Sequence, residues 1–165
     1  MTHRSSFFFV LLLIGFLGCR SDRPSEMPAL HPCVITVTQE GALLAGATVI
    51  LHSVEGHAWT PMGVTDAQGK AVMRTQVRYD GAAAGKYKIT VAKSEREPSK
   101  LGPAPSEDNP AYDEWSRRAT EETLQEFSLI DVDCCDPQKT PLEIEVVRGN
   151  NAKTIDVGKA VRVKI

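Results

Sequence analysis

From residue 33 onward, apolar and polar residues alternate along much of the chain. Cys33, Ile35 and Val37 share one face of a first run, and Ala47, Val49 and Leu51 share a face of a second. A shorter third run covers about Trp59 to Thr65. In a fourth, Ala71, Met73, Thr75 and Val77 alternate with Val72, Arg74, Gln76 and Arg78. Tyr87, Ile89 and Val91 alternate with Lys86, Lys88 and Thr90 in a fifth, and Leu142, Ile144 and Val146 with Glu143 and Glu145 in a sixth. Ile155, Val157, Val161, Val163 and Ile165 form the last, with Arg162 and Lys164 facing out. Successive side chains of a strand point to opposite faces, so each run predicts a strand with one buried and one wet face. Seven such runs predict an all-β fold, a seven-stranded antiparallel β-sandwich.

The breaks between runs have turn chemistry. Gln39-Glu40-Gly41-Ala42 separates the first two strands, and Gly149-Asn150-Asn151 the last two. Thr65-Asp66-Ala67-Gln68-Gly69-Lys70 reads as a tight hairpin. There the Asp66 carboxylate can accept from backbone N–H groups ahead of it, and Gly69 can take positive φ.

One stretch departs from the alternation, an insertion at about residues 94–127. Ser94 to Asn109 holds Pro98, Pro103 and Pro105 among charged residues and predicts an irregular loop. Asn109 then suits an N-cap and Pro110 the first helical position, which predicts a helix over about 111–127. Asp113 with Arg117 and Glu114 with Arg118 have i,i+4 spacing. Tyr112, Trp115, Ala119 and Phe127 fall on one side, so the helix is expected to lie as a lid on the sandwich.

The first residues have a different pattern. Phe7 to Leu17 is an unbroken apolar run of 11 residues behind the single charge of Arg4. A helix needs about 20 apolar residues to span a bilayer, so the run is too short to do so and suits a signal peptide. Gly18-Cys19 follows at once and resembles the lipobox of bacterial lipoproteins, with Phe16 where Leu is usual and Leu17 where a small residue is usual. The resemblance implies cleavage after residue 18, acylation of Cys19 and anchoring to a membrane, facing the periplasm or the cell surface. Residues 19–32, polar with three prolines, are expected to be a flexible tether, and residues 33–165 the folded domain.

Removing residues 1–18 leaves 147 residues with formal charge −3, from 18 Lys and Arg against 21 Asp and Glu. That is one domain with a real core, with no basic block to suit nucleic acid. A monomer is expected. Cys33, Cys134 and Cys135 remain beside the anchor cysteine. In an exported protein a disulfide from Cys33 to Cys134 or to Cys135 is the leading expectation, since adjacent cysteines bridge each other only with strain. The rivals are free thiols, intermolecular pairing, or a soft-metal or redox site from His31, Cys33, Cys134 and Cys135.

Three segments resemble the carboxypeptidase regulatory-like domain, a transthyretin-like β-sandwich. They are Gly41-Ala42-Leu43-Leu44-Ala45-Gly46-Ala47-Thr48-Val49, Gly63-Val64-Thr65-Asp66-Ala67-Gln68-Gly69-Lys70 and Ala84-Gly85-Lys86-Tyr87-Lys88-Ile89-Thr90-Val91. Leu43 and Ala84 stand where that family has Pro. The resemblance implies a non-catalytic structural or interaction module of the envelope, with no cofactor. The related transthyretin-like hydrolases end in a Tyr-Arg-Gly-Ser type tail, which Val161-Arg162-Val163-Lys164-Ile165 does not resemble.

Other chemistry is sparse. His52 falls on the face opposite Val49 and Leu51 and is expected in solvent, and His57 sits in a Gly-flanked loop. No Ser or Cys has a local base signature for nucleophilic catalysis. Asp131, Asp133 and Asp136 read as a solvated turn rather than a Ca²⁺ loop. Trp59 and Trp115, with Tyr79 and Tyr112, could stack on a sugar, which makes an envelope polysaccharide or peptide an alternative partner.

Overall fold

The computed structural model describes residues 23–122 and 124–165. The expected signal segment and Cys19 lie outside the described residues. The described chain is mostly β with one α-helix. In order the strands are β1 (Leu30–His31), β2 (Cys33–Gln39), β3 (Ala42–Leu43), β4 (Thr48–Ser53), β5 (Pro61–Val64), β6 (Lys70–Val72), β7 (Arg74–Thr75) and β8 (Tyr79–Asp80). They continue as β9 (Ala82–Ala83), β10 (Gly85–Ala92), β11 (Ser94–Arg96), β12 (Glu126–Ser128), β13 (Glu143–Val146), β14 (Asn151–Asp156) and β15 (Val163–Lys164). The helix α1 (Tyr112–Glu121) lies between β11 and β12, and a 3-10 turn, Val132–Cys135, precedes β13.

Two larger sheets hold the core. One has six strands in the order β13-β10-β4-β5-β7-β8, all antiparallel. In the other, β2 is flanked by β14 on one side and by β3 and β6 on the other. The predicted inward faces of both meet: Ile35 and Val37, Val49 and Leu51, Ala71 and Met73, Tyr87, Ile89 and Val91 are all buried in one cluster. Each fully buried Val, Leu or Ile there contributes roughly 1.5–3 kcal/mol over leaving it in water. Gly63 lets the sheets close on one another, since a Cβ there would lie 2.7 Å from the Val72 carbonyl oxygen.

The register defines two ends. At one end lie Cys33, Ser53 and Tyr87: Ser53 pairs with Tyr87, and the Cys33 carbonyl accepts from Met73 N–H at 2.9 Å. The chain enters here through β1, which pairs with β9. At the other end lie Gln39, Thr48 and Ala92: Thr48 pairs with Ala92, and Gln39 Nε2 donates to Leu129, whose own N–H donates to Lys93. We call these the entry end and the far end.

Several expectations are corrected. The fourth run splits into β6 and β7 and the last into β14 and β15, and the first and last do not pair antiparallel: β14 runs parallel to β2, from Asn151 beside Cys33 to Asp156 beside Thr38. Val77 does not face the core. It is 62% exposed, because Gln76 and Val77 take positive φ of 52° and 62° and end the alternation. Val163 and Ile165 are exposed too, since β15 leaves the core to pair with β12 in a small sheet with β11.

Residues 27–32 do not fit the expected flexible tether of residues 19–32. Met27 is buried and β1 is already part of a sheet. The insertion is also more ordered and its helix shorter than expected. Asn109 Oδ1 accepts from Ala111 N–H, which moves the helix start past Pro110. At the other end Ser99 Oγ and Lys100 N–H both donate to the Glu122 carboxylate, and Phe127 belongs to β12. The observed i,i+4 ion pair is Arg117 with Glu121. α1 buries no residue, so it is a peripheral helix and not the expected lid.

Candidate functional site

The far end carries the cleft best suited to a partner. Asp131 starts the 3-10 turn: its Oδ1 accepts from Asp133 N–H at 3.0 Å. The turn buries Cys134 and directs Cys135 Sγ to the Val91 carbonyl, 3.3 Å away. Beyond it, buried Thr140 donates to Ile89 O at 2.7 Å, and Ile89 N–H donates to Leu142 O at 2.8 Å, so this segment runs along β10. Across the gap, β14 ends at Asp156, and Val157 folds inward. Between these walls lies a cleft of about 550 Å³. Its floor is Cys134, Leu142, Val157 and Val161, and its rim includes Asp131, Asp133, Lys139, Asp156 and Lys159. An apolar floor under a few polar groups is the usual make-up of a ligand site, and the volume is in the range of such sites.

The rim carboxylates are already engaged. Asp156 accepts from Thr38 Oγ1 at 2.8 Å, from Gly158 N–H at 2.8 Å and from Gly41 N–H at 3.1 Å. The Thr38 hydroxyl first, and then the two N–H groups, hold its carboxyl below the usual aspartate value. Asp136 Oδ1 accepts from Gln138 N–H, and Lys139 lies 3.6 Å from Asp133 and 3.9 Å from Asp136. The cluster therefore ties down turns, as the solvated-turn reading expects. Among the described residues no group of three or more His, Cys, Asp and Glu converges to hold a metal.

The three thiols do not meet. Cys33 is at the entry end, close enough to Tyr87 for its charge to raise the phenol. Cys135 is at Val91, four residues along β10, and a strand rises about 3.3 Å per residue. Cys134 faces Asp156 and Val157, beside the other end of β2. A disulfide from Cys33 to Cys134 or Cys135 would have to span the length of the sheet, and all three cysteines are free in this structure. His31 is also at the entry end, where its Nδ1 accepts from Gly149 N–H at 3.4 Å, so the four-residue soft-metal set does not form. Burial pushes Cys33 up to about 11 and raises both Cys134 and Cys135, with Asp131 adding to the rise in each. Thiols so shifted stay protonated at neutral pH and are poor nucleophiles or ligands.

The aromatic pair is likewise separated. Trp59 follows Ser53 in the β4–β5 loop at the entry end, whereas Trp115 is on α1, in the segment that leaves the far end after Ala92. Tyr112 stacks with Trp115 at 6.4 Å, but Trp59 cannot share that platform. His52 is half-buried rather than in open solvent, with Nε2 2.8 Å from Thr90 Oγ1, and burial lowers its pKa.

Sequence reasoning missed the cleft floor and the entry-end pair of Tyr87 and His57. Leu142, Val157 and Val161 read as ordinary core positions of two strands. The Asp156-Val157-Gly158 turn had a usable signal, an Asp two residues before a Gly. A second depression, about 400 Å³ on the outer face of β10 and β13, is lined by Lys86, Lys88, Glu143 and Glu145. Lys153 lies there too and Lys88 pairs with Glu143, so it is a mixed-charge sheet face. No family model, curated protein or solved structure matches this chain.

Proposed function

We propose that the chain is a lipid-anchored, non-catalytic interaction module of a bacterial envelope. Its domain is read as a transthyretin-like β-sandwich of the carboxypeptidase regulatory-like kind. The observation that carries this is an order of features along the chain. The apolar run Phe7 to Leu17 ends at Gly18-Cys19, and only seven residues then precede Met27, the first buried side chain among the described residues.

The site chemistry supports a binding role. The thiols are protonated, the rim carboxylates hold their own turns, and the cleft combines an apolar floor with a mixed-charge rim. That combination suits an apolar side chain of a peptide or envelope protein with polar groups beside it. The polysaccharide alternative loses the Trp59 and Trp115 platform on which it rested. Feeding cells radioactive palmitate tests the anchor: the parent chain is expected to take up label and Cys19→Ser to lose it. An unlabelled parent would sink the proposal.

A further inference from the structure

One flank of the paired sheets is more apolar than its strands require. The chain from β5 through Asp66 and Gly69 to β6 and β7 is a hairpin that closes this flank: β6 pairs with β2 in one sheet and β7 with β5 in the other. Its inward positions are filled, with Ala71 and Met73 buried and Gly63 set against Val72 O. Alternation then turns Met62, Val64 and Val72 outward. Val64 and Val72 are each more than half exposed, and with Met62 and Val77 they line an open depression of about 370 Å³. The outer face of β10 and β13, in contrast, carries Lys86, Lys88, Glu143 and Glu145. Exposed apolar side chains scattered singly need no explanation, but four that line one depression mark an interaction surface.

Val77 supplies an independent observation. It is a β-branched residue at φ 62°, next to Gln76 at 52°. A β-branched side chain in the left-handed region is strained, and such strain gathers where a protein makes contacts. The strain does not serve the core, because it leaves Val77 more than half exposed, on the same depression as Val64 and Val72.

The polar rim indicates what covers the patch. At the turn Asp66 N–H donates to Lys70 O at 2.9 Å, so Asp66 and Lys70 lie side by side on the two arms. Each arm has a valine and, two residues nearer the turn, a charge of sign opposite to the other arm's: Val64 with Asp66, and Val72 with Lys70. Asp66 Oδ1 accepts from Gln68 and Lys70 N–H, which fixes the carboxylate and leaves Oδ2 for a partner. A half-turn about an axis along the hairpin, between its arms, lays the β5 arm of one copy on the β6 arm of another. Val64 then meets Val72 and Asp66 meets Lys70, each of them twice. Matching itself under a two-fold rotation is what an isologous interface requires of a surface.

We propose that a second copy of this chain covers this flank, in a two-fold dimer with Val64 and Val72 at its centre and two Asp66–Lys70 ion pairs beside them. The dimer stands in place of the expected monomer and does not depend on the lipid anchor. A patch of four aliphatic side chains belongs with small, reversible interfaces, so the contact is best read inside the cell.

The test uses the full chain, expressed in one cell as two copies with different epitope tags, one of them carrying photoreactive benzoylphenylalanine at position 72. Irradiation is expected to give a product of twice the chain mass bearing both tags. The same probe at position 54, an exposed valine beside the Lys86 and Glu143 face, is expected to give none. Lys70→Glu in both copies sets carboxylate against carboxylate at an exposed position and is expected to remove most of the product. Val64→Asp is expected to do the same, and Val132→Asp, also at an exposed valine, to leave the product unchanged. A two-tag product undiminished by either Lys70→Glu or Val64→Asp, or equally strong from position 54, is random collision and overturns the proposal. No product from position 72 overturns it as well. A product of another mass with a single tag gives the flank to a different protein and overturns it too.

Discussion

His57 Nε2 lies 3.0 Å from the Tyr87 hydroxyl, and the imidazole must be the donor in that pair. The phenol has one proton, and it points to the Ala83 carbonyl at 2.8 Å, which can only accept. Neutral His57 therefore carries its proton on Nε2 and leaves Nδ1, a buried atom with no partner among the described residues, as a bare acceptor. Nitrogen NMR is expected to find the Nε2–H tautomer at neutral pH. Tyr87→Phe removes both bonds while keeping the ring, and is expected to lower unfolding free energy by about 1–3 kcal/mol in urea titrations. An unchanged urea midpoint would count against this arrangement.

Alkali should unfold the domain through the entry end. Burial pushes Cys33 from 9.0 up to about 11, and burial first, then Cys33 and Glu55, push Tyr87 from 10.0 up to about 12. Both folded values exceed the unfolded ones, so the folded state holds these protons longer. Their contribution to stability is complete below pH 9. It falls between about 9 and 11 for Cys33 and between about 10 and 12 for Tyr87. Urea midpoints measured from pH 8 to 12 are expected to decline, and Cys33→Ala to flatten the first part of the decline.

Reductant should leave stability unchanged. Cys33 lies at one end of the sheets and Cys134 and Cys135 at the other. The melting temperature is therefore expected to be equal with and without dithiothreitol. Intact mass under denaturing alkylation is expected to show Cys33, Cys134 and Cys135 all modified without prior reduction. A fall in melting temperature on reduction would reinstate a bridge.

Gly63 is the position where the two large sheets tolerate no side chain. A Cβ would stand 2.7 Å from Val72 O and 3.3 Å from Ala71 Cβ, both held by the pairing of β6 with β2. Gly63→Ala is expected to destabilise by roughly 1–3 kcal/mol through forced separation of backbone. Circular dichroism melts would read the effect, and a neutral result would mean that β5 and β6 do not approach so closely.

Much of the fold was legible because one face of each long strand is buried. That face must be apolar, which is why Ile35, Val49, Met73, Ile89 and Val146 were placed correctly. The hairpin was legible for a local reason: Asp66 Oδ1 accepts from Gln68 and Lys70 N–H, as the residue types suggest. What escaped depends on distant partners. Nothing near Glu122 reveals that Ser99 and Lys100 will hold its carboxylate and end the helix. Val163 alternates as cleanly as Val49, yet the strand containing it pairs with β12, while Arg162 lies 3.5 Å over the Phe127 ring and binds Glu95. The cleft was invisible for the same reason, since its floor joins Cys134 to Val157 and Val161 across the fold.

The parallel pairing of β14 with β2 sets when the sheet can be finished. Cys33 stands beside Asn151, and Thr38 Oγ1 binds Asp156 across 118 positions of chain. Until residue 151 is available, one whole side of β2 has main-chain donors and acceptors with no neighbour, and closing so long a loop is slow. A ribosome-bound chain would thus hold an unfinished sheet with an open edge. β14 acts as a clasp, and the sheet stays open along one side of β2 until that clasp arrives.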